Sequence, residues 1–175
     1  RAVRVHEHLL SRGDLGRVDR ERAQHALALD FLKAGLLDRA EQALQRLEGT
    51  PFEAEARLAL LAIYERSSDW SLAAAIADKM DRAAQGDFST RQAHYLCEQA
   101  ATLLGKGQTE EARSLLQRAI ATAPHAARAR IDLAAMQQAS GDHAAAFSTL
   151  RTMGEATPAA LPLAAARLAQ AASSS

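Results

Sequence analysis

The stretch HYLCE at residues 94–98 holds the densest grouping of residue types that could do chemistry in this chain. His94 and Cys97 are three residues apart, so on a helix they share a face and could supply two ligands to a metal ion. A zinc site needs three or four protein ligands. No second cysteine or nearby histidine completes such a set. The pattern therefore favours a structural or surface position for this pair over a metal site.

The other reactive residue types lack the neighbours that catalysis needs. His6 and His8 are two residues apart, which places them on different faces of a helix and makes chelation poor. No serine follows the strand–turn–helix pattern of a nucleophile elbow, and no glycine-rich phosphate loop is present. Glu110 and Glu111 begin a predicted helix, where the helix dipole accounts for their charge. The sequence predicts no enzyme and no cofactor within these residues.

Composition indicates the fold class. Hydrophobic residues make up 48% of the 175 residues, enough to bury a sizeable core. Alanine dominates them and β-branched residues are sparse, which favours an all-α fold. The 21 basic and 21 acidic side chains are interspersed, so no electrostatic footprint for nucleic acid or an anionic membrane is present. No apolar run approaches the roughly 20 residues that span a bilayer, so we expect no membrane contact by this segment.

Four helix–turn–helix segments repeat along the chain. They are KAGLLDRAEQAL (33–44), RSSDWSLAAAIA (66–77), GKGQTEEARSLL (105–116) and ASGDHAAAFSTL (139–150). Each turn residue, at 35, 68, 107 or 141, is followed five residues later by alanine, and the turns are 33, 39 and 34 residues apart. Glycine past a helix end closes it in the left-handed conformation. Asp38, Asp69 and Asp142 follow the turns, where they can accept hydrogen bonds from the first amides of the next helix.

This period and these residue types resemble the tetratricopeptide repeat family over essentially the whole chain. The resemblance implies an all-α, right-handed superhelical solenoid of antiparallel helix pairs. We predict a single array over residues 1–175, with a partial repeat at 1–16, repeats at about 20–52, 53–88, 90–124 and 126–158, and a terminal helix at 159–172. Because the chain opens in mid-repeat without methionine, we expect a fragment of a longer protein that self-associates through its truncated ends.

In arrays of this kind the first helices line a concave face that binds proteins or peptides. The best-known pocket of the family holds a carboxylate tail with asparagine, lysine and arginine, and a chain without asparagine does not fit that clamp. Counting from the turns, the predicted groove is mixed in charge. Its residues are Arg22, His25, Leu29, Lys33, Glu55, Leu58, Glu65, Arg66, His94, Cys97, Ala101, Arg128, Ile131 and Gln138.

The order of four segments carries a closer resemblance. RAVRVHEHLLSR, ALDFLKAGLLDRAEQALQRL, LLAIYERSSDWSLAAAIADKM and AHYLCEQAATLL follow one another as in the lipopolysaccharide assembly protein B family of Gram-negative bacteria. The resemblance covers about residues 1–150. It implies a longer inner-membrane protein with an N-terminal anchor, a repeat array on the cytoplasmic face and a C-terminal rubredoxin-like metal domain. Only the array would be present here, as a soluble cytoplasmic segment without its own metal site.

The same resemblance implies a non-catalytic adaptor. Members of that family lower lipopolysaccharide synthesis by promoting degradation of the lipid A pathway deacetylase by a membrane-bound, ATP-dependent protease. The protease and the deacetylase are therefore the expected partners. A generic tetratricopeptide scaffold in another envelope-assembly or secretion pathway remains the alternative, because the repeats alone do not specify a pathway.

Overall fold

The structure of the chain, a computed structural model, describes residues 2–156 together with residues 162, 165 and 166. The described part contains helices and no strand, and none of these helices is long and apolar enough to cross a membrane. The predicted all-helical fold of paired helices is confirmed. Apart from three isolated positions, the predicted terminal helix at 159–172 lies outside the described residues. The helices are α1 (Ala2–Leu10), α2 (Arg17–Lys33), α3 (Leu37–Gln45), α4 (Glu53–Ser67), α5 (Trp70–Arg82), α6 (Ser89–Gly105), α7 (Thr109–Thr122), α8 (Ala127–Ala139) and α9 (His143–Ala156).

Helices α1 to α5 belong to a first compact unit, residues 1–85, and each packs on the next along the chain. Ala40 and Ala73, the alanines five residues after the turns, are fully buried. Small side chains at these positions let the paired helices approach closely, and larger residues such as Leu44, Phe31 and Tyr64 fill the adjacent space. The predicted role of the repeated alanines is confirmed in this unit.

The second compact unit, residues 86–175, contains α6 to α9 in its described part. Here α7 packs against both α6 and α8, and α6 also contacts α8 directly. Ala112 and Leu116 of α7 join Leu96 of α6 and Leu133 of α8 in one buried cluster. Each unit thus has its own apolar core, while the continuity of a single array across both units remains a prediction.

The four predicted turn residues all adopt the left-handed conformation. The φ angles are 71° at Gly35, 76° at Gly107 and 82° at Gly141, and Ser68 reaches 58° although it carries a side chain. A left-handed residue after each first helix reverses the chain so that the second helix packs back on the first. The turn positions were therefore predicted correctly, including the one that is not glycine.

Two of the three predicted aspartate caps are present. Asp69 Oδ1 accepts from the backbone amide of Leu72 at 3.3 Å, and Asp142 Oδ1 accepts from that of Ala145 at 3.0 Å. The same prediction for Asp38 is wrong, because this residue is the second of α3 and the cap position belongs to Leu36, which provides no side-chain bond. Asp69 and Asp142 directly follow their turn residues, whereas Asp38 stands three residues after Gly35 and therefore lies inside the helix.

Candidate functional site

In the first unit, the predicted groove residues lie along the two first helices, α2 and α4. Two leucines among them are unusually accessible for their type, Leu29 at 38% and Leu58 at 49%. His25 and Glu65 are half-buried, and the remaining predicted residues of this unit are exposed: Arg22, Lys33, Glu55 and Arg66. These two helices therefore present a surface on which apolar side chains stand among charges of both signs.

His25 connects the two helices of this surface. Its Nε2 lies 3.0 Å from Oε2 of Glu55, and its ring stacks on Phe52 with 4.5 Å between the ring centroids and 16° between the planes. Glu55 belongs to α4, and Phe52 directly precedes that helix. This half-buried histidine of α2 thus contacts both α4 and the residue that precedes it.

In the second unit, a pocket of about 460 Å³ lies between α6 and α8, with α7 behind it. We call it the α6–α8 pocket. Three predicted groove residues line it: Cys97, Ala101 and Arg128. The rest of its lining is mainly apolar and consists of Ala100, Leu104, Leu116, Ala135, Met136 and Ala139, with Asp132 beside Arg128. Gln138 lies half-buried on α8 but is not part of the lining.

The charged end of the α6–α8 pocket is organised by Arg128. Its Nη1 donates to Oε1 of Glu98 at 2.7 Å, and its Nε donates to Oδ2 of Asp132 at 3.3 Å. Its Nη1 also lies 2.9 Å from Nδ1 of His94. Since arginine only donates, His94 accepts at Nδ1. One guanidinium thus joins the middle of α6 to the start of α8. The apolar half of the pocket lies toward the C-terminal ends of both helices.

Glu98 and Asp132 were missed by the sequence prediction, although a signal for both was present. Glu98 stands four residues after His94, and Asp132 stands four residues after Arg128. Side chains at this spacing lie next to each other on a helix. Charged residues one turn beyond predicted groove positions should therefore have been included in the groove.

Ile131 does not belong to the accessible surface where the prediction places it. It is 1% exposed and packs against Met153 of α9. Helix α9 covers this side of α8, which removes Ile131 from the surface shared with α6. The groove prediction counted positions from the turn and did not account for the second helix of the same repeat.

Cys97 forms part of the floor of the α6–α8 pocket. It is 2% exposed, and burial, opposed in part by the charge of Arg128, raises the pKa of its thiol to about 11. A metal needs the thiolate, which this environment disfavours. Among the described residues, no group of three or more histidine, cysteine, aspartate or glutamate side chains is placed to hold a metal ion.

The chain is similar in sequence to a repeat family and to curated proteins. Residues 103–172 match the family model described as tetratricopeptide repeat. Lipopolysaccharide assembly protein B of Escherichia coli K12 is 30% identical over 152 residues, which cover 86% of this chain and 39% of that protein. The protein of the same name from Haemophilus influenzae is 31% identical over 159 residues, which cover 90% of this chain and 40% of that protein. The chain therefore spans about two fifths of the length of the curated relatives it matches.

The chain also aligns with solved structures of low sequence identity. MamA of strain AMB-1 is 18% identical and aligns over 90% of this chain and 81% of its own, with a TM-score of 0.47. MamA from Desulfovibrio magneticus RS-1 is 16% identical and aligns over 88% of this chain and 94% of its own, with a TM-score of 0.40.

Proposed function

We propose that this chain, whose residues 103–172 match the tetratricopeptide repeat and which is similar to lipopolysaccharide assembly protein B, is a non-catalytic adaptor that binds other proteins. The observation that carries the proposal is the α6–α8 pocket. Its apolar half is open beside Ala101 and Leu104, both exposed, and its other half presents Arg128 with two carboxylates. Interfaces commonly combine an apolar centre with a polar rim in this way.

The proposed partners belong to lipopolysaccharide assembly. In this proposal the full-length protein lies at the cytoplasmic face of the inner membrane and promotes degradation of the lipid A pathway deacetylase by a membrane-bound, ATP-dependent protease. The support is an identity of 30% over 86% of the chain with a protein named for lipopolysaccharide assembly. Because the chain spans 39% of that relative, the pathway assignment concerns the whole protein and its test requires the full-length form.

A pair of matched variants tests the proposal in the full-length protein. Ala101→Glu places a charge at the apolar half of the α6–α8 pocket, whereas Ala121→Glu makes the same change at an exposed alanine of α7 outside the pocket. After crosslinking in Gram-negative cells, the wild type and Ala121→Glu should recover the deacetylase and the protease. Ala101→Glu should recover much less, because a buried unpaired charge at an interface is costly.

The outcomes separate the site from the pathway. Equal recovery by Ala101→Glu and the wild type would remove the α6–α8 pocket from the proposal. If the wild type recovers neither the deacetylase nor the protease, the lipopolysaccharide role is wrong. Reproducible recovery of a different envelope-assembly or secretion protein that Ala101→Glu loses would instead identify a scaffold in that pathway.

A further inference from the structure

Two pockets in the first unit occupy equivalent places in successive repeats. The first cleft, of about 150 Å³, lies between α1, α2 and α3, and the second cleft, of about 340 Å³, lies between α3, α4 and α5. Five lining residues of the first cleft have counterparts 33 residues later in the second, the interval that also separates the turns at 35 and 68. For example, Arg20 corresponds to Glu53, Gln24 to Arg57 and Arg46 to Lys79.

The first cleft opens away from the predicted groove. Arg20 and Gln24 line it from α2, whereas Arg22 and Leu29 were assigned to the groove from the same helix. Arg20 and Arg22 are two residues apart, or about 200° around an α-helix. A ligand in the first cleft would therefore leave the groove side of α2 accessible.

Cations in the second cleft are already neutralised by its own carboxylates. Lys79 Nζ donates to Glu48 Oε1 at 2.9 Å, and Arg57 Nη2 lies 2.5 Å from Glu53 Oε1 and 3.6 Å from Glu48 Oε1. The hydrogen bond from Lys79 lowers the pKa of Glu48. This cleft therefore has no positive charge left for an added anion.

The first cleft has the opposite charge pattern. Arg20 replaces the carboxylate of Glu53, Arg46 stands where Lys79 does, and no acidic residue contributes to the lining. Within the part of the chain that the structure describes, neither Arg20 nor Arg46 has an ion pair or a side-chain hydrogen bond. Two guanidinium groups without counter-charges thus line one small cleft, which bears a net positive charge.

We propose that the first cleft binds a phosphate monoester group. The guanidinium fork matches phosphate oxygens, and two such groups balance the charge of a dianionic monoester. The amide of Gln24 can donate a further hydrogen bond. The floor of Leu10, Leu27 and Ala43 is apolar and half-buried, and the two arginines lie exposed at its rim, where an incoming phosphate can reach them.

The walls of the first cleft are held in place without the ligand. His6 Nδ1 of α1 lies 2.7 Å from Asp30 Oδ2 of α2, and Arg39 Nη2 of α3 donates to Glu7 Oε1 of α1 at 2.6 Å. These two contacts tie α1 to α2, which carries Arg20, and to α3, which ends directly before Arg46. Binding would therefore require little reorganisation of the backbone, which favours affinity.

Isothermal titration with glycerol 3-phosphate tests the site, and vesicles distinguish a free phosphate from a lipid headgroup. The vesicles are phosphatidylcholine alone and phosphatidylcholine with phosphatidic acid, whose headgroup is a phosphate monoester. Arg20→Glu introduces into the first cleft the negative charge that Glu53 has at the equivalent position of the second cleft. Arg20→Glu and Arg46→Gln should each weaken binding by about tenfold or more, as expected for a lost charge-assisted hydrogen bond. Lys79→Gln in the second cleft is the matched control and should bind like the wild type.

Every outcome bears on the proposal. Binding of glycerol 3-phosphate identifies a soluble monoester, whereas binding of phosphatidic acid vesicles alone identifies a lipid headgroup, and either supports the site. Absence of both would overturn it. The proposal would also be overturned if Arg118→Gln weakened binding as much as the cleft variants do. Arg118 is an exposed arginine of α7 without an ion pair in the described residues, so an equal effect would mean that binding follows general charge. If the circular dichroism spectrum shows that Arg20→Glu disturbs the fold, Arg20→Gln replaces it in the binding measurement.

Discussion

The phenol of Tyr64 donates a hydrogen bond to Oε1 of Glu41 at 2.9 Å, across 23 residues of sequence. The bond joins α4 to the second helix of the preceding repeat, and Gln45 Nε2 lies 3.4 Å from the same phenol oxygen. Tyr64 is only 4% exposed, and burial raises the pKa of its phenol. A protonated phenol at the edge of an apolar core is thus one of the polar contacts that align successive repeats.

Replacing Tyr64 with phenylalanine keeps the ring in the core and removes this hydrogen bond together with the longer contact from Gln45. We expect Tyr64→Phe to lower the free energy of unfolding by about 0.5–1.5 kcal/mol, the usual net value of one such bond. Urea unfolding followed by circular dichroism measures the change. Glu41→Gln, which keeps a carbonyl acceptor at the same place, should cost less. A Tyr64→Phe variant as stable as the wild type would show that the bond contributes nothing.

Ser68 provides the second prediction, because it adopts a conformation that suits glycine. Its φ of 58° is close to the 71° of Gly35 in the preceding turn. A side chain in the left-handed region costs roughly 1–2 kcal/mol, although the added freedom of glycine in the unfolded chain offsets part of that gain. Ser68→Gly should therefore raise the thermal unfolding midpoint, and Gly35→Ala should lower it. A lower midpoint for Ser68→Gly would contradict this account of the turn.

The local features of the fold could be predicted from sequence because each follows from one or two residues. A turn residue with an alanine five positions later was enough to locate the helix pairs and the buried positions Ala40 and Ala73. The Asp38 cap failed because a shift of two residues relative to the turn moves the side chain from the cap into the helix. Spacing predicts an element well, but a capping bond depends on the residue at which the helix begins.

The candidate sites were harder to predict because they depend on pairs of side chains from different repeats. The contact of Arg128 with Glu98 spans 30 residues, and no periodicity in the sequence indicates which charges meet. Likewise, Arg20 and Glu53 occupy equivalent positions, yet their opposite charges matter only once the clefts have formed around them. The position of a residue within its repeat can be predicted from the sequence. The side chains that it contacts depend on how the repeats pack together.

The aspartate caps give a prediction with a control in the same chain. Asp69→Ala and Asp142→Ala each remove a bond to a helix amide and should lower the free energy of unfolding by about 1 kcal/mol. Asp38→Ala removes only a negative charge from the first turn of α3, where its interaction with the helix dipole is worth roughly 0.3–1 kcal/mol. Urea denaturation of the three variants measures how much free energy of unfolding each of them loses. A cost for Asp38→Ala greater than that of both others would refute the cap assignment.

The thiol of Cys97 should react slowly in the folded protein. Burial raises its pKa from about 9 to about 11, so the reactive thiolate is about a hundredfold scarcer at pH 8 than in the unfolded chain. Alkylation by iodoacetamide at pH 8, followed by mass spectrometry, should be much slower in buffer than in urea. Equal rates in the two solvents would show that the floor of the α6–α8 pocket is open to solvent.

The same shift makes stability depend on pH in the alkaline range. The unfolded thiol ionises near pH 9 while the folded thiol keeps its proton up to about pH 11, so the contribution of Cys97 is fully present below pH 9 and is lost as the pH rises from 9 to 11. Cys97→Ala lacks this ionisation. Its free energy of unfolding should therefore fall less between pH 8 and pH 10.5 than that of the wild type, and parallel declines in the two proteins would mean that other groups cause the loss.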